Sequence, residues 1–410
     1  DFNRSRFSKL VELYLLRRGV EFNILAPNKP GYQQISGRKN QHYEGGFVYQ
    51  PEPGVYSDLV VFDFRSLYPS IITSHNVDIS TLNCSCCSGD GEKWFCQKVK
   101  GFLPTVVEDL IIRRSRIKEL IKKSEGDVQL LQARSEALKI MTNSFYGYLG
   151  FFGARWYSID CASSVTGLAR RYITSVISKA KKAGFSVIYG DTDSIFLSLE
   201  GKSKEEALEF VTSYNDTLTG QMELEFEGYY PKGIFVSLKG NDIGAKKKYA
   251  LLNEDGAIMV KGFESVRRNW SEISKEVQKK VLKLVLDGLE NVAVEYIKSV
   301  IDDLRAQNVS VEKLILKTQL TKPVEQYDSI GPHVAVALQM IEKGQSVGPG
   351  SLIMYVIGKG SGVIRDRAKL PEEVVEYDSE YYVKNQVVPA VSTIMQVFGY
   401  SSDDFLKDKK

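Results

Sequence analysis

The stretch Ser186-Val-Ile-Tyr-Gly-Asp191-Thr-Asp193-Ser-Ile-Phe196 decides how this chain is read. Apolar runs flank a tight Gly-Asp-Thr-Asp turn, the pattern of a β-hairpin with two carboxylates at its tip. Aspartate disfavours strands, so two of them between such flanks call for an explanation. At i and i+2 on extended chain, Asp191 and Asp193 can project to one side. Two carboxylates about 4 Å apart repel by roughly 4 kcal/mol at an effective dielectric of about 20. A divalent cation between them reverses the sign of that energy. A solvated turn is the other reading, since Gly and Asp are ordinary turn residues.

Two further segments bear on the choice. Asp58-Leu-Val-Val-Phe-Asp63-Phe-Arg-Ser-Leu-Tyr68-Pro-Ser70 sets an apolar strand, Leu59–Phe62, directly before Asp63. Pro69 then ends any regular ladder, because it has no N–H to donate. Asp63 sits where a buried strand ends, a place that suits either a catalytic acid or a strand-end cap. In Lys139-Ile-Met-Thr-Asn143-Ser-Phe-Tyr146-Gly147 the positions 139, 143 and 146 share one helix face. That face carries a cation, an amide and a phenol; a plain amphipathic helix with a solvated polar side has the same spacing.

Together the three segments resemble motifs A, B and C of the family B DNA polymerases, in the family's order and most like its archaeal members. Motif A is Asp63-Phe-Arg-Ser-Leu-Tyr68-Pro-Ser, motif B is Lys139-x-x-x-Asn143-Ser-x-Tyr146-Gly147, and motif C is Tyr189-Gly-Asp191-Thr-Asp193-Ser. The resemblance runs from Leu25-Ala-Pro-Asn-Lys-Pro30 to Tyr381-Tyr-Val-Lys-Asn-Gln-Val387. It implies an α+β fold of right-hand architecture, with a mixed and antiparallel β-sheet palm, helical-hairpin fingers and a mainly helical thumb. Residues 1–103 would be an N-terminal helix, a linker and the first part of the palm. Residues 104–151 would be the fingers, 152–265 the second part of the palm and 266–410 the thumb.

The resemblance also assigns roles. The reaction would be template-directed transfer of deoxynucleotides to a primer 3′-hydroxyl, with primer–template DNA and dNTPs as partners. Asp63 and Asp193 would bridge two Mg²⁺ ions, with Mn²⁺ as a substitute; Asp191 would support them and the Phe64 carbonyl would complete a metal shell. Arg114, Lys118 and Lys139 would hold the triphosphate. Ser66, Leu67 and Asn143 join the nucleotide-binding set, Tyr68 would lie under the sugar against a 2′-hydroxyl, and Tyr146 would line the nascent base pair. Tyr43-Glu-Gly45-Gly46 resembles the family's YxGG element, which contacts template DNA. Lys247-x-Tyr249 resembles its KxY motif at the primer–template. An extra stretch, Leu238-Lys-Gly-Asn-Asp-Ile-Gly244, departs from the family pattern, reads as a surface loop and leaves the register of Lys247 open. Lys322 and His333 fall in segments that match the thumb's grip on product duplex. Lys359 lies in a Gly-rich loop whose backbone can approach a phosphate.

A helical stretch opens at Pro104, and within it Arg113–Lys123 carries Arg113, Arg114, Arg116, Lys118, Lys122 and Lys123 against one acid, Glu119. Arg114 and Lys118, at i and i+4, share a face. A second helix from Val128 to Tyr146 completes a hairpin. Residues 1–18 read as an amphipathic helix, 26–58 as loop with short strands, 162–182 as a helix, and 274–305 as long helical periodicity. At 410 residues the chain is long enough for two to three domains. Its net charge of +3 is nearly balanced, so attraction to DNA must come from local patches. Such contacts should favour phosphate and sugar and weaken steeply with salt. No apolar run reaches the ~18 residues of a membrane span, and the basic N-terminal stretch is no secretory signal. The resemblance places such a chain in the cytoplasm, on the nucleoid.

Four of the five cysteines crowd together as Cys84, Cys86, Cys87 and Cys96. Free thiols in a surface loop, a Cys84–Cys96 disulfide and a zinc site are the three readings; C-x-C-C-x8-C lacks the usual C-x2-C pair of zinc sites. Cys161 reads as a small core residue. The 62 residues before Asp63 hold no D-x-E motif of the family's exonuclease. The expectation is therefore no 3′–5′ exonuclease in this chain and a separate exonuclease or N-terminal polymerase subunit as partner. The tail Asp403–Lys410 lacks the family's clamp-binding ending, so sliding-clamp binding through it is not expected. The rival to an active polymerase is a catalytically silent, partner-dependent subunit acting as a DNA-binding scaffold.

Overall fold

The strand Gly54–Phe64 changes character midway. Its first five residues are at least partly exposed, whereas Leu59–Phe62 are wholly buried. A continuous apolar run of this kind belongs to a strand covered on both faces. The strand is also where the chain passes between two compact units of a computed structural model that describes residues 6–89, 92–238 and 241–406. One unit takes in the chain up to Tyr49 together with Val60–Gly228; the other takes in Gln50–Leu59 and everything from Tyr229 on.

The first unit contains α1 (Phe7–Glu21), α2 (Tyr32–Lys39), β1 (Val48–Tyr49), the end of β2 (Gly54–Phe64), α3 (Leu67–Ser74), α4 (Phe102–Lys122), α5 (Val128–Leu149), α6 (Ile159–Lys182), β3 (Ser186–Asp191), β4 (Ser194–Ser198), α7 (Lys204–Asn215) and the start of β5 (Leu224–Ser237). Its strands lie in the order β1-β3-β4-β2. β3 and β4 form the expected hairpin, with Gly190 opposite Ile195 and Asp191 opposite Ser194. The helix α6 covers them with Val165, Ala169, Ile173, Val176 and Ala180, a buried stripe at steps of three and four.

α4 and α5 pack as a helical hairpin. Ser124 and Gly126 turn the chain with φ of +53° and +83°, and the Asp127 carboxylate caps α5 by accepting from the Leu130 N–H at 3.1 Å. α4 is buried only from Phe102 to Leu110, so its basic half stands clear of the core. It begins two residues before Pro104; proline is tolerated there because first-turn N–H groups have no helical partner.

The second unit pairs the rest of β5 with β6 (Gly244–Leu252) and β7 (Ile258–Lys261), all antiparallel. Then follow α8 (Glu272–Leu286), α9 (Glu290–Arg305), β8 (Leu316–Gln319), α10 (Pro332–Glu342), β9 (Leu352–Ile357), β10 (Ala368–Lys369), α11 (Ser379–Tyr382) and α12 (Val388–Gln396). β10-β9-β8 form a small sheet. The core joins Val277, Val281 and Val285 of α8 to Ile297 and Ile301 of α9 and to Val391 and Ile394 of α12. Gln278 is buried among them with its amide satisfied: its oxygen accepts from the Ser265 N–H at 2.7 Å and its nitrogen donates to Glu264 and to the Ala390 carbonyl.

Several expected boundaries move. The first helix runs over Phe7–Glu21 rather than 1–18, and residues 1–5 lie outside the described residues. The stretch 26–58, expected as loop with short strands, contains α2. The periodicity over 274–305 is two helices, broken at Gly288, whose φ of +81° ends α8 in the left-handed region. Residues 239–240 of the expected loop and 407–410 of the tail also lie outside the described residues. Among the described residues no helix is long and apolar enough to cross a membrane.

Gly262 follows β7 with φ of +72°, and a Cβ there would stand 2.0 Å from the Lys247 carbonyl oxygen. Relief of both strain and clash requires β6 to move. Gly262→Ala should cost about 2–3 kcal/mol, read as a lower midpoint of urea denaturation than in the unmutated chain.

Candidate active site

Asp63 is the penultimate residue of β2, and Asp191 ends β3. The Phe64 N–H donates to the Asp193 carbonyl at 2.8 Å, so main chain ties the hairpin turn to the end of β2. This brings the expected carboxylates together. Asp63 is half-buried. Burial, then the charges of Asp193, Glu227 and Glu225, push its carboxyl up from 3.8 to about 8, while Lys139 acts the other way. Three acids face Asp63 against one cation, Lys139.

The turn is strained. Thr192, a β-branched residue, sits at φ of +55°. It is held there by its N–H donating to the Phe47 carbonyl at 2.8 Å and by its hydroxyl donating to Asp191 Oδ1 at 3.1 Å. Gly46 leaves the space: a Cβ there would lie 2.8 Å from Thr192 Oγ1. The Glu44 and Gly45 carbonyls accept from Arg170 at 2.9 and 2.7 Å. The Tyr43 hydroxyl meets that of Tyr146 at 3.1 Å, and the Tyr146 ring lies 4.2 Å from that of Tyr68, centroid to centroid. Burial, then Asp193, raises the Tyr68 phenol above its usual range. Three tyrosines thus lead from the Tyr-x-Gly-Gly segment toward the carboxylates.

Ser66 stands at φ of +47° between β2 and α3, and its hydroxyl accepts from Arg114 at 3.3 Å. Leu67, next in chain, is buried. Arg114 and Lys118 line a cavity of about 790 Å³ together with Arg65 and Lys122. Burial lowers the pKa of both Arg114 and Lys118; Arg114 lowers Lys118 further. Lys139 and Asn143 are exposed on α5 and do not line this cavity. The remaining expected residues belong to the second unit. Tyr249 stacks on Phe235 at 5.4 Å, and Lys247 is exposed at φ of +63°. Lys322 pairs with Asp328 at 3.5 Å and lies over the Tyr327 ring, which His333 meets edge-on. Lys359 pairs with Glu376 at 2.8 Å.

Sequence reasoning missed Glu225 and Glu227, Arg65 and Arg170. Leu224-Glu-Phe-Glu alternates apolar and acidic, and a period of two sets both acids on one side of β5. Arg65, inside motif A, binds Glu223 and Glu225 and so holds the start of β5 to the end of β2. Nothing local signals it. Of the three readings of the cysteine cluster, free thiols is the leading one, and in the structure no disulfide joins Cys84 to Cys96: all five cysteines are free.

The model of DNA polymerase family B matches residues 3–398, and the chain belongs to this family. It is 44% identical to a DNA polymerase of Pyrococcus glycovorans over 98% of this chain and 53% of that one. It is 42% identical to a DNA polymerase of Thermococcus gorgonarius over 100% and 54%. The fold is similar to the solved structure of the family B DNA polymerase from the hyperthermophilic archaeon Pyrobaculum calidifontis, with a TM-score of 0.72, 32% identity, and 97% of this chain and 52% of that chain covered. The chain spans about half the length of the curated relatives it matches.

The raised Asp63 carboxyl has a consequence for folding. Unfolded, the group ionises at 3.8; folded without metal it holds its proton to about 8, so stability falls as pH rises between these values. Asp63→Asn should therefore stabilise the metal-free protein, by about 1–2 kcal/mol at pH 8 once solvent screening at a half-buried site is allowed for. The gain should vanish below pH 3.8, where the carboxyl is protonated in both states. Thermal melts in chelator across pH check this.

Proposed function

We propose that this chain is a DNA-directed DNA polymerase module, adding dNMP to a primer 3′-hydroxyl on a template in the 5′–3′ direction. The observation that carries the reading is the Phe64–Asp193 main-chain bond, which sets Asp63 beside Asp193 in a place where acids outnumber cations. Near Ser66, Arg114 and Lys118 line a cavity in which five cations, with Arg65, Arg116 and Lys122, outnumber three acids, Glu119, Glu223 and Glu225. A triphosphate with its metal ions answers both needs at once. In this reading residues 104–151 are the fingers, 1–103 and 152–265 the palm, and 266–410 the thumb.

The donor set is two or three carboxylates and a main-chain carbonyl, which suits hard cations that keep waters and substrate oxygens. Asp63, Asp193 and the Phe64 carbonyl would hold two Mg²⁺, or Mn²⁺ in their place, with Asp191 in support. Such ions activate the primer hydroxyl and stabilise the leaving pyrophosphate. Arg114, Lys118 and Lys139 bind the triphosphate and meet charge that develops on it. Ser66, Leu67 and Asn143 orient the nucleotide. Tyr68 packs against the sugar, and Tyr146, fixed by Tyr43, backs the nascent pair. Gly45 and Gly46 carry backbone close to template, and Lys247, Tyr249, Lys322, His333 and Lys359 hold duplex. The chain would act on cytoplasmic, nucleoid-bound DNA.

Primer extension with Mg²⁺ and four dNTPs tests this. The full chain should extend a primed template with release of pyrophosphate, and Asp193→Asn should lower the rate by at least about 10³-fold. A folded chain that binds primed template in low salt yet releases no pyrophosphate would overturn it in favour of a silent scaffold. Tyr68→Ala should lower the preference for deoxy- over ribonucleotides in kcat/KM by about 10- to 100-fold, while dNTP incorporation changes by less than about tenfold. Competing single-nucleotide insertions measure both.

A further inference from the structure

We propose that Cys84, Cys86, Cys87 and Cys96 form a tetrathiolate zinc site that clips the loop between α3 and α4. Their sulfurs all lie within 4.8 Å of one another. Four thiolates at a Zn–S distance of about 2.3 Å in a tetrahedron stand about 3.8 Å apart. The Cys86 sulfur lies 3.8 Å from that of Cys87 and 3.5 Å from that of Cys96. A disulfide draws two sulfurs to about 2.05 Å and gives the other two no role. The tetrahedral spacing uses all four.

The main chain around the cysteines is fixed. Leu82 pairs with Phe95 in an antiparallel bridge, the Asn83 N–H donates to the Trp94 carbonyl at 2.8 Å, and the Cys96 N–H donates to the Thr81 carbonyl at 2.8 Å. The Trp94 indole donates to the Cys84 carbonyl at 3.2 Å. The Val99 N–H donates to the Cys96 sulfur at 3.4 Å, the kind of outer contact that orients and stabilises a metal-bound thiolate. Three ligands thus come from one turn and the fourth from the returning strand.

The loop also needs a staple. Among the described residues of 83–100 only Cys96 is buried, so the segment has no apolar core of its own. Its exit fixes the start of α4. Asn76 donates to the Cys96 and Val99 carbonyls, its side-chain oxygen accepts from the Gly101 N–H at 2.8 Å, and Asp78 accepts from the Leu103 N–H at 2.7 Å. A clip here anchors the base of the helix that bears Arg114 and Lys118. On binding, each thiol gives its proton to solvent and its sulfur to the metal, so affinity rises with pH.

Metal analysis of the purified full chain tests the site. About one zinc per chain is expected. Zinc exchanged for Co²⁺ should show a thiolate-to-cobalt charge-transfer band and the intense d–d bands of a tetrahedral site; carboxylates such as Asp63 give neither. Cys86→Ser and Cys87→Ser should each weaken zinc binding by more than the roughly 100-fold that an outer contact is worth. Cys161→Ser, outside the cluster, should leave it unchanged. The unmutated chain supplies a test that no variant can spoil: chelation should lower its melting temperature and zinc alone should restore it. Five thiols titrating with no cobalt spectrum, a disulfide within the cluster, iron in place of zinc, or an unaltered cobalt spectrum in Cys86→Ser would each overturn the assignment.

Discussion

The pairing of β4 with β2, closed at its end by the Phe64 N–H to Asp193 carbonyl bond, decides where charge collects in this protein. That bond carries the pairing as far as the β3–β4 turn, where the carboxylates meet. The bond holds because both strands are anchored by apolar side chains that water cannot reach: Val60–Phe62 on one side, Ile195–Leu197 on the other. Burial stabilises each such side chain by about 1.5–3 kcal/mol, enough together to offset the cost of burying the Asp63 carboxyl beside Asp193. The strain at Thr192 costs about 1–3 kcal/mol more and persists on the same account. Core packing thus supports a site that is unfavourable by itself.

Arg65 keeps the two kinds of charge apart. Its guanidinium binds Glu223 and Glu225, and its N–H donates to the Glu223 carbonyl at 2.9 Å. One acid of β5 is thereby partly neutralised before its charge reaches Asp63, while the arginine's own charge lowers the pKa of Arg114. The carboxylates and the cations of α4 therefore each remain incompletely compensated within one unit. Under the proposed function, a ligand that carries both signs, a metal-bound triphosphate, would suit such a field.

Much of this was legible because it is local. The β3–β4 hairpin, the helix face of Lys139, Asn143 and Tyr146, and the pairing of Arg114 with Lys118 follow from spacings of two, three and four residues. What stayed hidden depends on contacts between distant segments. Tyr43 meets Tyr146 across 103 residues, and Arg65 meets Glu225 across 160. Gly46 reads in sequence only as part of an element resembling the family's template-contacting YxGG, yet its missing Cβ also leaves the room that Thr192 occupies. α2 escaped notice because Tyr32–Lys39 buries no residue and carries no apolar stripe. The break at Gly288 was visible as a glycine but masked by unbroken apolar periodicity on both sides.

The second unit poses a different question, since two of its three expected duplex-binding lysines already have acidic partners. Lys322 faces Asp328 at 3.5 Å and Lys359 faces Glu376 at 2.8 Å. These are exposed pairs, and exposed pairs are worth only about 0–1 kcal/mol. A phosphate that displaces such a carboxylate loses little and gains the entropy of released counterions. The freed acid remains in water, where its charge is fully solvated. Under the proposed function, weak pairing would hold each lysine in place until duplex arrives. The grip would then be indifferent to base sequence, because the exchange is between one solvated anion and another. Template copying requires that indifference, and a nearly neutral chain can supply it through local exchange rather than through net positive charge.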